Sequence, residues 1–315
     1  MPQVTRTTVL RLAQIALVLQ VLLVVSGTAV RVTGSGLGCP TWPRCTGGSL
    51  TNTAALGTHG YIEFGNRLLA VVMEAVGIAL VLAVRRVPHP RSWSRLALVQ
   101  AAVVPLQAVI GGLLVLSGLN PYVLILHFLT SFPLVYGAAA LLHHLLPPGD
   151  PRNRTWPFAA KGAPSGSVDH PGRWLTGALV ASTALVLVLG TLVTGTGPHA
   201  GDPKVDRLPF SPRDVTQLHA DAVYVLVGLT LAALLVLQGN RMVFVLAGLV
   251  VAQGGIGYWQ YFTGVPPLLV VLHVLGAALL FTTATWLHLG SRAPAPPGRT
   301  SAPTPARAAG TATAR

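Results

Sequence analysis

Three histidines stand where histidine is costly. His127 lies in PYVLILHFL, His219 in TQLHADAVYVLVGL and His273 in LLVVLHVLGAALL, each within or at the head of a long apolar run. An ionisable side chain inside such a run is a functional candidate by default. A neutral imidazole offers one ring nitrogen as a ligand and one as a donor. Two imidazoles facing each other across a helical bundle can therefore hold a haem iron from its two axial sides. The alternative is plainer: each histidine hydrogen-bonds a neighbouring helix. A second set of polar residues accompanies them, with Glu63, Asn66 and Arg67 close together in the sequence and Cys39 and Cys45 flanking PTWPR.

The elements that must position these residues are membrane helices. The chain has 315 residues, of which 52% are hydrophobic and 9% charged, against about 25% charged in a soluble protein. Eight segments reach the roughly 20 apolar residues that a span needs: 10–30, 61–84, 96–117, 122–146, 174–194, 216–237, 241–262 and 267–289. The expected fold class is an all-α membrane protein of eight transmembrane helices, arranged as two tandem, pseudo-symmetric four-helix bundles. The net charge of +13 sits in short loops and tails, where it sets topology and implies no nucleic acid. Counting Lys and Arg on alternate sides gives fifteen against five, which places the N- and C-termini in the cytoplasm. The first apolar run lacks a small-residue cleavage site and reads as a retained helix.

The expected organisation is an N-terminal half (1–146) with an outer cysteine loop (31–58), a proline-rich cytoplasmic linker (147–173), a C-terminal half (174–290) and a disordered tail (291–315). The halves read as a duplication. Residues 106–127 and 252–273 share seven of 22 positions, among them Gln107/Gln253, Gly111/Gly257 and His127/His273. Gly27-Thr28 at the end of the first span is echoed by Gly190-Thr191 at the end of the fifth. Four spans separate the repeats, so they are parallel repeats about an axis near the membrane normal.

His127, His219 and His273 lie about five, three and six residues into even-numbered spans, within roughly 10 Å of one membrane face. His219 and His273 form a pair in the second half, where Gly254, Gly255, Gly257 and Gly276 would leave room for a flat macrocycle. In the first half His127 occupies the slot of His273, and Asn66 the slot of His219. Asn66 is a poor iron ligand, so one half carries a full histidine pair and the other a single histidine.

Glu63 and Arg67 are spaced for an i,i+4 ion pair; alternatively Glu63 points into the first-half cavity as a proton relay or charge stabiliser. His59 lies two turns before Asn66 and is a substitute ligand if the helix starts late. His143 and His144 read as interfacial. Asp221 is expected to meet a loop or a water, and Glu74, deep in the second span, has no assigned partner. Cys39 and Cys45 lie in a compartment that permits disulfides and are close enough to bridge; two ligands are too few for zinc.

The stretch Gly27–Cys45, GTAVRVTGSGLGCPTWPRC, resembles the haem A synthase family, whose signature there reads Gly-x-x-Val-Arg-x-Thr-Gly-Ser-Gly-Leu-x-Cys-Pro-x-Trp-Pro-x-Cys. Glu63, Asn66 and Arg67 stand in its Glu-x-x-His-Arg motif, with Asn66 departing from the commoner histidine. Gln107, Gly111 and Gly112 match its Gln-x-x-x-Gly-Gly, and the three histidines match His127, His219 and His273. The resemblance implies an oxidoreductase that converts the C8 methyl of haem O to a formyl group, giving haem A for cytochrome oxidase. It implies a resident haem B held by His219 and His273, and substrate haem held by His127 with Asn66 and Arg67 nearby. Glu63 would be required for the oxidation, and Cys39–Cys45 would form a disulfide near the substrate. Expected partners are the lipid bilayer, a haem O synthase and an electron donor, in the plasma membrane with the haem sites toward the outer leaflet. Competing readings are a di-haem b-type electron carrier, which wants four good axial ligands, and a haem transporter or chaperone, which needs no Glu63 chemistry.

Overall fold

A computed structural model describes residues 4–146, 170–198, 205–238 and 240–292. Among them the secondary structure is helical, and eight helices are long and apolar enough to cross a membrane. The helices are α1 (Arg6–Val32), α2 (Gly57–Val84), α3 (Arg91–Leu116), α4 (Pro121–Leu129), α5 (Ser131–Leu145), α6 (His170–Thr196), α7 (Pro212–Val236), α8 (Arg241–Phe262) and α9 (Pro267–Arg292), with a 3₁₀ turn at Ala54–Leu56 before α2. The starts follow local chemistry. Thr5 and Thr8 form a capping box, while the side chains of Asn120, Ser211 and Asn240 accept backbone N–H groups in the first turns of α4, α7 and α8. Pro121 and Pro212 occupy first-turn positions, where a missing N–H costs nothing.

In the first half α1 packs on α2, α2 on α3, α3 on α4 and α5, and α5 returns to α1. In the second half α6, α7, α8 and α9 close the same ring. Each half is thus a four-span bundle. The two bundles are joined by α9, which packs on α1 and α5, and by α4 against α6. The repeat extends to backbone conformation. Gly118 and Leu119 before α4 have φ of 64° and 64°, and Gly264 and Val265 before α9 have 75° and 59°. A β-branched residue at positive φ is disfavoured, so the recurrence of this turn is a property of the duplicated scaffold. Leucine side chains such as Leu22, Leu82, Leu113 and Leu235 are 45–72% exposed, which suits surfaces facing lipid.

Several boundaries differ from expectation. α1 starts at Arg6 and runs to Val32, and α2 starts at Gly57, so both ends of the 31–58 segment are helical. Residues 147–169 of the expected linker and 293–315 of the expected tail lie outside the described residues, but 170–173 and 291–292 are helix. The fourth span is broken between α4 and α5. Pro133 explains the break: it lacks the N–H that Leu129 would accept, and its ring crowds that carbonyl. α9, with Leu279 at the matching position, runs on unbroken.

The core spans both bundles. Phe132 of α5 makes edge contacts with Phe128 at 5.3 Å and Phe281 of α9 at 5.5 Å between ring centroids. His143, in the last turn of α5, is 6% exposed and lies 5.2 Å from the Trp286 ring, so it is packed between the halves. Phe132→Ala is expected to destabilise the protein by about 3 kcal/mol, since an aromatic deletion leaves a cavity. Denaturant-induced loss of helical circular dichroism measures this; a loss no larger than that of a lipid-facing Leu113→Ala would count against the bridging role of Phe132.

Candidate functional site

The three span histidines share one construction. The ring of His127 rests on Gly111 of α3, where an added Cβ would lie 3.2 Å from Cε1. His219 rests on Gly190 of α6 at 3.3 Å, and His273 on Gly257 of α8 at 3.5 Å. In each case the histidine lies on one helix and the glycine on its neighbour, so the helix backbone itself forms the seat. In all three, Nδ1 is buried without a hydrogen-bond partner. The His219 ring does lie close to the Val186 carbonyl one turn before Gly190, outside full hydrogen-bond geometry. His219 of α7 and His273 of α9 thus lie in the same bundle, each seated on a glycine of an adjacent helix.

These features fit axial haem ligands. A metal-bound imidazole commonly leaves its other nitrogen to a carbonyl or a carboxylate, and His219 beside Val186 has that disposition. Among the described residues no three His, Cys, Asp or Glu side chains converge, and a porphyrin iron needs only two protein ligands. Gly254 and Gly255 have nothing within 4 Å of an added Cβ, and the room at Gly276 is filled by the Gln253 amide.

The first half has the same seat with a different occupant. Gly27, the counterpart of Gly190, has nothing within 4 Å of an added Cβ. Asn66 does not reach toward it: its Oδ1 accepts from Ser26 Oγ at 2.6 Å. His127 is therefore the one span histidine of this half seated on glycine. Its backbone carbonyl, next to the helix break, accepts from Gln107 Nε2 at 3.2 Å, Thr130 Oγ1 at 3.1 Å and Ser131 Oγ at 3.3 Å.

Glu63 is 5% exposed and has both carboxylate oxygens engaged. Oε2 accepts from the Cys39 N–H at 2.6 Å and Oε1 from Arg67 Nη2 at 2.5 Å. Arg67 also donates to the carbonyls of Cys39, Thr41 and Arg44 at 3.1, 3.0 and 3.3 Å. The i,i+4 pair thus forms, and it does more than brace a helix: it holds the cysteine loop. Cys39 and Cys45 are joined in a disulfide with Cα atoms 4.4 Å apart, and both are fully buried.

Two close approaches complete the loop. Gly38 lies against the His59 carbonyl, and the Trp42 indole lies on Gly112, beside the Gly111 that seats His127. Neither glycine has room for a Cβ. His59 Nδ1 is 2.9 Å from Ser35 Oγ, so this histidine is tied to the loop. The Trp42 contact was missed from sequence, though the adjacent glycines of Gln-x-x-x-Gly-Gly were its trace. Asp221 accepts from Gln217 at 2.8 Å, and His199 lies outside the described residues.

Comparison with known proteins agrees with this picture. The chain is 28% identical over 129 residues to a heme A synthase from Oceanobacillus iheyensis, covering 39% of this chain and 40% of the relative. It is 33% identical over 123 residues to one from Lysinibacillus sphaericus, covering 38% and 39%. It is 48% identical over 48 residues to one from a Caulobacter species, covering 15% and 14%. The alignments thus span about two fifths or less of these relatives' lengths. Residues 10–201 match the COX15-CtaA family, described as cytochrome oxidase assembly protein. That match covers well over half of the sequence, and the chain belongs to the COX15-CtaA family of cytochrome oxidase assembly proteins.

Proposed function

We propose that this multi-pass membrane protein is a haem A synthase, an oxidoreductase that converts the C8 methyl of haem O to a formyl group. The observation that carries the reading is the unequal set of glycine-seated sites: two histidines in one bundle, and one histidine beneath a disulfide loop in the other. The relatives printed as heme A synthase support it.

In this reading His219 and His273 hold a resident haem B, which when bound supplies a one-electron redox centre. His127 holds the iron of substrate haem O. Asn66, tied to Ser26, leaves the opposite face to a weak ligand or to water. Arg67 and Glu63 hold the loop over this end of the bundle, and Glu63 supplies a fixed negative charge there. Such preorganised charge stabilises positive charge that develops during oxidation. The Cys39–Cys45 disulfide keeps the Trp42 indole beside the His127 seat.

The excess of Lys and Arg in alternate loops puts both termini in the cytoplasm and the cysteine loop outside. The protein then sits in the plasma membrane with its haem sites in the outer leaflet, accepting haem O from a haem O synthase and electrons from a separate donor. The domain limits follow the same division, with the substrate site in residues 1–146 and the resident haem in 174–290. A di-haem electron carrier is disfavoured because Asn66 gives the first half only one good ligand.

Extraction of haems after co-expression with a haem O source tests the function. Haem A is expected, and accumulation of haem O alone would sink the synthase reading. His219→Ala or His273→Ala should each abolish the low-spin spectrum of the resident haem. Glu63→Ala should retain that haem and lose conversion by about 10²-fold, the order expected when one preorganised stabilising group is removed; normal conversion would remove Glu63 from the chemistry. Asn66→His should turn the substrate-loaded first site from a single-histidine to a low-spin bis-histidine spectrum. A bis-histidine signal already present at that site in the native protein would overturn the assignment of Asn66.

A further inference from the structure

The first bundle contains a polar layer that no part of the proposed reaction uses. Gln20 of α1 is 3% exposed and Gln100 of α3 is 2% exposed. Gln20 Nε2 and both amide atoms of Gln100 are buried without a hydrogen-bond partner, and Glu74, itself half-buried, has its Oε2 enclosed and unpartnered. An unpartnered polar group in an apolar interior costs about 1–3 kcal/mol, and more for a carboxylate. Four such atoms in one bundle call for a ligand that supplies both donors and acceptors.

The three side chains share one depth. Ser26 and Asn66 are hydrogen-bonded across α1 and α2, and Gln107 is bonded to the His127 carbonyl. These contacts mark the level of the His127 site. Gln20 is six residues from Ser26, Glu74 eight from Asn66 and Gln100 seven from Gln107, each in the direction away from the cysteine loop. At 1.5 Å per residue, all three lie about 9–12 Å beyond that level. α2 packs against both α1 and α3, so the layer joins three adjacent helices.

The second bundle provides an internal control. The offsets that align Gly27 with Gly190, Asn66 with His219 and His127 with His273 place Thr183, Val227 and Leu246 at the positions of Gln20, Glu74 and Gln100. Thr183 satisfies its own hydroxyl on the Leu179 carbonyl at 2.7 Å, and Leu246 is fully buried. The duplicated scaffold therefore packs well with this layer apolar. Only the half with the single-histidine site carries the polar version.

We propose that Gln20, Glu74 and Gln100 form a binding site for internal water within the first bundle, and that Glu74 is its proton-exchanging group. Water is the ligand class that fits, because a buried water makes two to four bonds and serves amide donors, amide acceptors and a carboxyl alike. The charged and titratable groups on the helices around the layer lie at other levels: Arg11 of α1, Arg95 of α3, His143 and His144 of α5, and on α2 itself Arg67, seven residues from Glu74 toward the cysteine loop, and Arg85, just past the helix end. Arg67 is engaged by Glu63 and three loop carbonyls, and among the described residues no ion pair to Glu74 forms. The site rests on no particular reaction in the bundle above it.

Radiolytic hydroxyl labelling of the full chain in lipid nanodiscs tests the water. Met73, beside Glu74 in the chain, is 0% exposed and Met242 of the second bundle is 2% exposed. Internal water should label Met73 and leave Met242 unlabelled. The triple variant Gln20→Thr, Glu74→Val, Gln100→Leu, which copies the second bundle, should fold with native helical circular dichroism and lose the Met73 label. An unlabelled Met73 in the native protein, or a label that survives in the folded triple variant, overturns the proposal. Infrared spectroscopy tests the proton with a milder change. The chain has only eight acidic residues, so a protonated carboxyl band that shifts in D₂O should be assignable, and Glu74→Gln should abolish it. A carboxyl band that fails to exchange, or that persists in Glu74→Gln, would show a dry network in place of a hydrated one. This readout needs neither bound haem nor turnover, so its failure is separate from failure of the synthase reading.

Discussion

Hydrocarbon forces every polar group to find a partner, and the structure is organised around the few that do not. A backbone in lipid must satisfy itself, which is why the described elements are helices. Against that background an imidazole with an unpartnered nitrogen is conspicuous. It occurs three times at matched positions, each time on a glycine of the adjacent helix. The glycine sets how near the ring can approach the neighbouring backbone, and hence where the ring lies. A methyl group at Gly111 or Gly190 would crowd the ring at 3.2 or 3.3 Å. The ring position is therefore fixed as much by what the neighbouring helix lacks as by the histidine.

The duplication explains how two such sites arise, and the departures from it show how they came to differ. The turn before α4 and the turn before α9 keep the same unfavourable positive-φ pair. Gln107 and Gln253 have parted: one holds the His127 carbonyl, and the other fills the space over Gly276. Asn66 bends to Ser26 where His219 lies against Gly190. The first half also gained a loop whose contacts are made by the very helix that lost its histidine. Arg67 and Glu63 satisfy three loop carbonyls and one loop N–H between them.

Much of this was legible in the sequence because it depends on period, length and residue type. Span number, the repeat, the histidine slots and the cysteine pair are of that kind. What was hidden depends on contacts across helices. Glu63 was readable as half of an i,i+4 pair, but its second partner, the Cys39 N–H, lies 24 residues away. His143 stands near a helix end and looked interfacial until Trp286 of α9 closed over it. Trp42 on Gly112 and Gln253 on Gly276 are contacts of side chain with backbone, which periodicity does not encode. The break after Leu129 did have a local sign in Pro133, but the apolar run continues through it and masks the interruption.

That break has a mechanical meaning. His273 is carried by a 26-residue helix that crosses the bundle in one piece, and a side chain on such a rod moves only if the whole rod moves. His127 rides on a nine-residue segment with a tight turn at one end and a proline-made joint at the other. Its carbonyl is held by hydroxyl and amide groups outside the regular helix ladder. One histidine is built like a rivet and the other like a latch, a difference that suits the proposed division between a resident group and a substrate.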